Sequence, residues 1–228
     1  MPQEIIRSAN IADLEAVTAL EGACFPSAEA AGRDAFQRRL EAFPHCLWLL
    51  EAAGQLSAMI GGMTTDTADL CDAMYEGTRL YAEHGAWLMI FGVATRPEQQ
   101  HRGLASRLMR RVIADAKARE YAGIVLTCKA ELIPFYAQFG FVNEGVSASV
   151  HGGAVWYQMR LDLLRTCILQ GEDTHFYLDG ERCLLYGWEQ CDGFVLSVEN
   201  ARGETLWQTA PASREQCAVQ LLAYMKKR

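Results

Sequence analysis

Residues 89–106 read Met-Ile-Phe-Gly-Val-Ala-Thr-Arg-Pro-Glu-Gln-Gln-His-Arg-Gly-Leu-Ala-Ser. An apolar strand runs to Ala94, a turn follows at Arg96-Pro97, and Gln100–Ala105 opens an amphipathic helix. A helix start leaves its first backbone N–H groups unpaired and carries the positive end of the helix dipole. It is therefore a ready site for a pyrophosphate. Gly103 has no side chain to hold a phosphate off the backbone, and Ala105 has only a methyl. The spacing is Gln-x-x-Gly-x-Ala. It is not the Gly-x-Gly-x-x-Gly dinucleotide fingerprint, and no Gly-Lys-Ser/Thr follows as in a nucleotide P-loop. Gly92, inside the strand, predicts a bulge or a close backbone approach.

Downstream, the helix 103–119 places Leu104, Leu108, Val112, Ile113 and Ala116 on one face, with Arg107, Arg110, Arg111 and Lys117 on the others. Residues 123–128 form a continuous apolar run, as in a strand buried on both faces. A short helix over 131–139 ends at Gly140, and strands over 141–147 and 154–161 follow. Upstream, 4–7 reads as a strand. Asn10 and Asp13 cap a helix over 11–23 that shows Leu14, Val17 and Leu20 at helical spacing. Phe25-Pro26-Ser27 breaks that helix, and Ser27 is expected to cap a second one through about Glu41, with Glu29 in its first turn. Strands 45–52 and 55–65 make a hairpin around Ala53-Gly54. Residues 66–84 are irregular and acidic, and the strand 86–94 leads back to the opening stretch.

Gln100-His101-Arg102-Gly103-Leu104-Ala105 resembles the acyl-CoA signature Gln/Arg-x-x-Gly-x-Gly/Ala of the GNAT superfamily of N-acetyltransferases. Pro134-Phe135-Tyr136-Ala137-Gln138-Phe139-Gly140-Phe141 is similar to that superfamily's second marker, whose tyrosine sits beside the CoA sulfur in many members. Cys24-Phe25-Pro26-Ser27-Ala28-Glu29-Ala30-Ala31 resembles the Phe-Pro-x-x-Glu-Ala-Ala segment of arylalkylamine (serotonin-type) N-acetyltransferases, and Met74-Tyr75-Glu76 falls at their acidic substrate-side loop. The resemblance covers residues 4–161 and the order of elements. It implies an α/β (α+β) GNAT fold: a mixed central sheet with a splayed strand and flanking helices. It also implies direct transfer of an acetyl group from acetyl-CoA, as co-substrate, to a primary amine that is arylalkylamine-like or otherwise cationic. Alternatives are a polyamine, aminoglycoside, amino-acid or protein-amine acceptor, or a non-catalytic acyl-CoA sensor.

On this resemblance the coenzyme is expected to meet Phe91, Gly92 and Val93 on the strand. It also meets Gln100, His101, Arg102, Gly103, Leu104, Ala105 and Ser106 at the helix start, and Lys129 beyond the next strand. Arg102 with Arg107 or Arg110 could reach its phosphates. Tyr136, a phenol protonated at neutral pH, would donate to the leaving thiolate. The two histidines that animal arylalkylamine acetyltransferases place on this strand align with Met89 and Phe91, neither of which titrates. Glu29, Glu76, Glu83 and His84 are left as substitutes; Glu29 and Glu83 are carried as catalytic candidates. Phe25, Pro26, Glu29 and Glu76 are the expected acceptor-side residues.

Residues 1–163 would make up this domain and 164–228 a small appendix. The appendix reads as four strands (175–179, 182–188, 193–199 and 204–208) and a helix capped by Ser213, which predicts a small antiparallel sheet plus helix. It is expected to dock on the main domain or to form a homodimer contact. A β-β-β-α order can suggest double-stranded RNA binding. Seven Lys/Arg against nine Asp/Glu over 165–228 argue against it, as the net charge of −7 argues against nucleic acid in general. The eight cysteines are scattered without Cys-x-x-Cys or Cys/His ligand spacing, so no metal is expected, and free thiols in a reducing cytoplasm are the reading. No basic, apolar leader opens the chain and no apolar run reaches ~18 residues, so no membrane partner is expected.

Overall fold

The computed structural model describes residues 4–227. In chain order the first part holds β1 (Glu4–Ser8), α1 (Leu14–Cys24), α2 (Arg33–Ala42), β2 (Leu47–Ala52), β3 (Gln55–Thr65), α3 (Ala73–Glu76), β4 (Trp87–Thr95) and α4 (Leu104–Ala118). It continues with β5 (Gly123–Cys128), α5 (Ile133–Ala137), β6 (Val142–Val146) and β7 (Tyr157–Asp162). These seven strands form one sheet in the order β1-β2-β3-β4-β5-β7-β6. Every pairing is antiparallel except that of β4 with β5.

Both faces are covered, and period-2 alternation decides which residue goes where. On β2, Leu47 and Leu49 face α1 and α2, joining Leu14, Val17, Leu20, Phe36 and Leu40. Trp48 and Leu50 face the other way, toward Leu104, Leu108, Met109, Val112 and Ala116 of α4. The Asn10 capping box forms as expected, through the Asp13 carboxylate. The hairpin turn has positive φ at Ala53 (53°) and Gly54 (75°), the backbone that tight two-residue connections need.

The second helix departs from expectation. Ser27 does not cap it: α2 starts at Arg33 behind Gly32. Residues 26–31 instead form a tight turn, with the Glu29 and Ala30 amides donating to Pro26 O at 2.8 and 2.9 Å. The Ala31 amide donates to a carboxylate oxygen of Glu21 at 3.1 Å. A buried carboxylate thus takes an amide that helical continuation would have used, and the turn becomes cavity wall.

The remaining chain forms α6 (Leu163–Gln170), β8 (Thr174–Leu178), β9 (Glu181–Gln190), β10 (Gly193–Glu199), β11 (Thr205–Gln208) and α7 (Arg214–Met225). Its strands make the expected second, four-stranded antiparallel sheet, in the order β11-β10-β9-β8. Ser213 caps α7 in a box with Gln216. The sequence reading passed over α6, which Asp162 caps by accepting from the Arg165 amide at 2.9 Å and Gly171 ends in the left-handed region. One apolar core runs without a break from Ile124 and Leu126 through Leu163 and Ile168 to Phe176, Leu185 and Leu221. At its edge His84 stacks on Tyr177 (centroids 4.8 Å), Arg182 pairs with Glu120 at 2.6 Å, and Lys226 pairs with Glu144 at 2.9 Å.

Candidate active site

Two features of β4 build the site. Its parallel pairing with β5 stops at Ile90↔Leu126, so the two strands part from Phe91 onward. Its register against β3 slips at the same place: Gly61 faces Gly92 and Gly62 faces Ile90, which leaves Phe91 as the extra residue of a bulge. Gly62 permits the bulge, because a Cβ there would stand 2.2 Å from Met89 O. The edge of β4 freed from β5 keeps backbone groups available at the mouth of the gap.

That gap is a groove of about 440 Å³. Val93 and Thr95 form one wall, Gln100, His101, Gly103, Leu104, Ala105 and Ser106 its end, and Leu132, Phe135 and Tyr136 the opposite wall. Gly103 caps α4 at φ 76°, and His101 is also left-handed at φ 60°. Among the described residues the first α4 amide with an acceptor is that of Arg107, which donates to Gly103 O at 3.0 Å. The amides before it point a positive dipole end into the groove. The Thr95 hydroxyl, on the groove wall, is buried without a partner among the described residues; a buried polar atom left this way calls for a ligand or water.

Tyr136 sits on α5 at the groove floor, its ring edge-on to Phe135 and Phe141. Burial, reinforced by the neighbouring Cys128 thiol, pushes the phenol well above its ordinary 10, so it holds its proton throughout the neutral range. Burial also pushes the Cys128 thiol up to about 11, which leaves it a poor nucleophile.

A second cavity, of about 380 Å³, opens on the other side of the bulge. Phe91 lines it, and a Cβ on Gly92 would lie 3.7 Å from the Phe25 ring and 3.8 Å from Glu21 Oε2. Gly92 therefore stands in the chain between Phe91, which lines this cavity, and Val93, which lines the groove. Glu21 is 7% exposed. Burial raises its carboxyl above the usual range, against the pull of the Ala31 amide, Arg39 and His151. His151 stacks on Tyr75 with centroids 4.5 Å apart, and its Nε2 lies 3.0 Å from Glu29 O.

The structure gathers Val93, Gln100, His101, Gly103, Leu104, Ala105, Ser106 and Tyr136 around one groove. It gathers Phe25, Glu29 and Glu76 around the cavity beyond the bulge, with Pro26 in the adjoining turn. Five residues lie elsewhere. Phe91 turns into the second cavity, because the bulge reverses its side. Lys129 pairs with Glu29 at 2.8 Å and lies against Trp156, two residues that line that cavity, and it does not line the groove. Arg102 is exposed off the groove, and Arg107 is held by Glu4 at 2.8 Å. Glu83 stands with His84, His45 and Arg119 in a separate hollow before β4 begins. Four residue steps of strand, roughly 13 Å at ~3.3 Å each, separate Trp87 from Phe91 at the bulge.

The residue that sequence reading missed is Glu21. Its signal was present: it follows Val17 by four residues on the apolar stripe of α1, where a charge has no business unless it serves the space the stripe faces.

A match to the acetyltransferase (GNAT) family spans residues 14–141. The chain belongs to this family. No curated protein matches the chain. Among solved structures, the loading GNATL domain of CurA from Lyngbya majuscula superposes with a TM-score of 0.62 at 17% identity, over 71% of this chain and 98% of that one. The GphF GNAT-like decarboxylase in complex with isobutyryl-CoA gives 0.62 at 20%, over 70% and 99%. The PaiA N-acetyltransferase from Thermoplasma acidophilum in complex with coenzyme A gives 0.52 at 14%, over 70% and 99%. At such identities the likeness is one of fold. A decarboxylase and an N-acetyltransferase share it, so the chemistry of this family member must be argued from its own side chains.

Proposed function

We propose that this GNAT protein transfers an acetyl group from acetyl-CoA directly to the nitrogen of a primary amine with an apolar or aromatic body. The observation that carries the reading is the succession Phe91-Gly92-Val93 at the bulge. Val93 lines a groove holding a helix start and a buried phenol, while Phe91 lines a cavity holding a buried carboxylate.

The groove fits the coenzyme. The amides at the start of α4 would hold the diphosphate, and the left-handed Gly103 leaves them uncovered. The free edge of β4 past the bulge would hold the pantetheine arm and the thioester oxygen. Acetyl-CoA supplies an acyl group activated as a thioester. The rest is done by the chain. Glu21 takes the proton that the amine loses as its lone pair bonds to the carbonyl carbon. Tyr136 gives a proton to the sulfur as the C–S bond breaks. A carboxyl raised by burial suits the first role, and a phenol kept protonated by burial suits the second. Glu29 does not serve as the base, since Lys129 already holds its carboxylate. The Cys24–Ala31 segment, whose likeness to arylalkylamine acetyltransferases suggested this acceptor class, supplies Phe25 and Glu29 to the acceptor cavity.

The test is thiol release from acetyl-CoA with aryl-alkylamines, polyamines and aminoglycosides as acceptors. Release that depends on an aryl-alkylamine supports the reading. Coenzyme binding with no release for any amine contradicts it.

A further inference from the structure

We propose that the acceptor carries a carboxylate next to its amine, as an α-amino acid does, and that Arg39 is the residue that selects it. This rests on the amine-acetylation reading and narrows it.

Arg39 reaches into the acceptor cavity from α2, and its guanidinium lies 4.8 Å above the ring of Phe91, the bulge residue itself. One of its nitrogens donates to Tyr75 O at 3.1 Å. Among the described residues no carboxylate comes within ion-pairing distance of it, and Glu21 acts on it only from farther off. A guanidinium has five N–H donors in a planar fork, and a half-buried one without a counter-ion leaves several of them open to a ligand. Its natural complement is a carboxylate taken two oxygens at a time.

The other charges of the cavity are largely committed. Lys129 holds Glu29, and Asp72 accepts from the Ser149 hydroxyl and the Val150 amide. Among the described residues, what remains turned to the bulge is the guanidinium of Arg39 and the carboxyl of Glu21, with the His151 ring committed to Glu29 O at 3.0 Å and Glu76 exposed at the rim. An acceptor nitrogen at Gly92 next to Glu21 has Arg39 just across the Phe91 ring. A carboxylate carried by the acceptor beside its amine would give Arg39 the counter-ion that polyamines and simple arylalkylamines lack. Phe25, Tyr75 and Trp156 leave apolar wall for a side chain, in a volume suited to a small molecule.

The experiment uses the full chain, acetyl-CoA, and three acceptors of one shape: L-phenylalanine, L-phenylalaninamide and 2-phenylethylamine. Calorimetric titration with acetyl-CoA runs alongside. We expect kcat/KM for phenylalanine to exceed that for both uncharged-tail analogues by about tenfold or more. Arg39→Gln should lower kcat/KM for phenylalanine by that same factor of about tenfold or more, bring the ratio among the three close to one with the two analogues little changed, and leave acetyl-CoA affinity in place. Arg39→Lys should recover part of the preference. The proposal is overturned if the amide or phenylethylamine serves the wild type as well as phenylalanine, or if Arg39→Gln lowers all three alike. Binding of acetyl-CoA with no acetylation of any of the three, nor of a polyamine, overturns amine transfer itself, and this proposal with it. The wild-type comparison stands alone should an Arg39 variant fail to fold.

Discussion

Replacing Glu21 by glutamine tests the assignment of the base. The change keeps the side chain's length and its carbonyl oxygen, so the acceptor for the Ala31 amide, now at 3.1 Å, is retained. The fold should lose no more than about 1 kcal/mol, the worth of an ordinary hydrogen bond. Burial raises the Glu21 carboxyl above its ordinary 4.5. A group raised in the folded state adds stability only below its unfolded value and forfeits it as pH rises through the folded one. At neutral pH the uncharged glutamine should therefore hold stability level or increase it. Activity should move the other way. A positioned base contributes on the order of 10²- to 10⁴-fold. With Tyr136 and the α4 helix start intact, kcat/KM at pH 7 should fall about 10²- to 10³-fold, some ~3–4 kcal/mol of barrier. The assay is thiol release across pH 5–10. The wild type should lose activity toward acid through a limb lying above the usual carboxylate range, and the variant should lack that limb. The gap should narrow toward alkaline pH, where solvent strips the amine of its proton unaided. A variant within about threefold of wild type at pH 7, with the same acid limb, would refute the assignment.

Tyr136→Phe should lower turnover at least about tenfold with little change in acetyl-CoA affinity, since only the proton donor is removed; stopped-assay kinetics beside calorimetry check it. Gly62→Ala should destabilise the fold by more than about 2 kcal/mol, because its Cβ would meet Met89 O at 2.2 Å; chemical denaturation reads the loss, and acetylation should fall with it as the bulge shifts. The carboxyl of Glu144, although burial opposes it, is held down to about 2 by hydrogen bonds from Arg160, Lys226 and Gln158. Lowered in this way, it stabilises the fold above pH 4.5, a contribution reduced by solvent screening and lost as pH falls toward 2. The melting temperature should therefore drop across that acid window, and less so in Glu144→Gln. A chain ended after Leu164 should unfold at a temperature more than about 10 °C lower or aggregate, since Ile168, Phe176 and Leu221 belong to the same core as Leu126; calorimetry of the two chains decides.

The features legible in the sequence were those set by local rules. Helical spacing put Leu104, Leu108, Val112 and Ala116 on one face of α4, the face that joins the core. Asn10 and Ser213 announced their caps, and Gly103 after a strand marked the helix start that lines the groove. Gly92 announced irregularity, although it is Gly62 on the neighbouring strand β3, opposite Ile90, that gives the bulge room, and that pairing is set by register and not by neighbours in sequence. What stayed hidden depended on contacts between distant segments. Ser27 read as a helix cap because nothing nearby shows that Glu21 claims the Ala31 amide. Glu83 looked close to the chemistry in sequence, while the length of β4 carries it to the far end of the sheet. Lys129 stood one residue past β5, yet its partner Glu29 lies a hundred positions away. Arg39 drew no notice among the charges of α2, because only the folded chain reveals that it turns inward over Phe91.

The account depends most on the groove between β4 and the start of α4, and calorimetric titration of the purified chain with acetyl-CoA measures that dependence directly. We expect saturable one-site binding in the range of about 1 μM to 1 mM typical of enzyme substrates. Gly103→Val, which forces a branched side chain onto φ 76° where the diphosphate would rest, should weaken it at least about tenfold. No heat of binding with the wild type, or equal affinity in the Gly103 variant, would contradict the central claim.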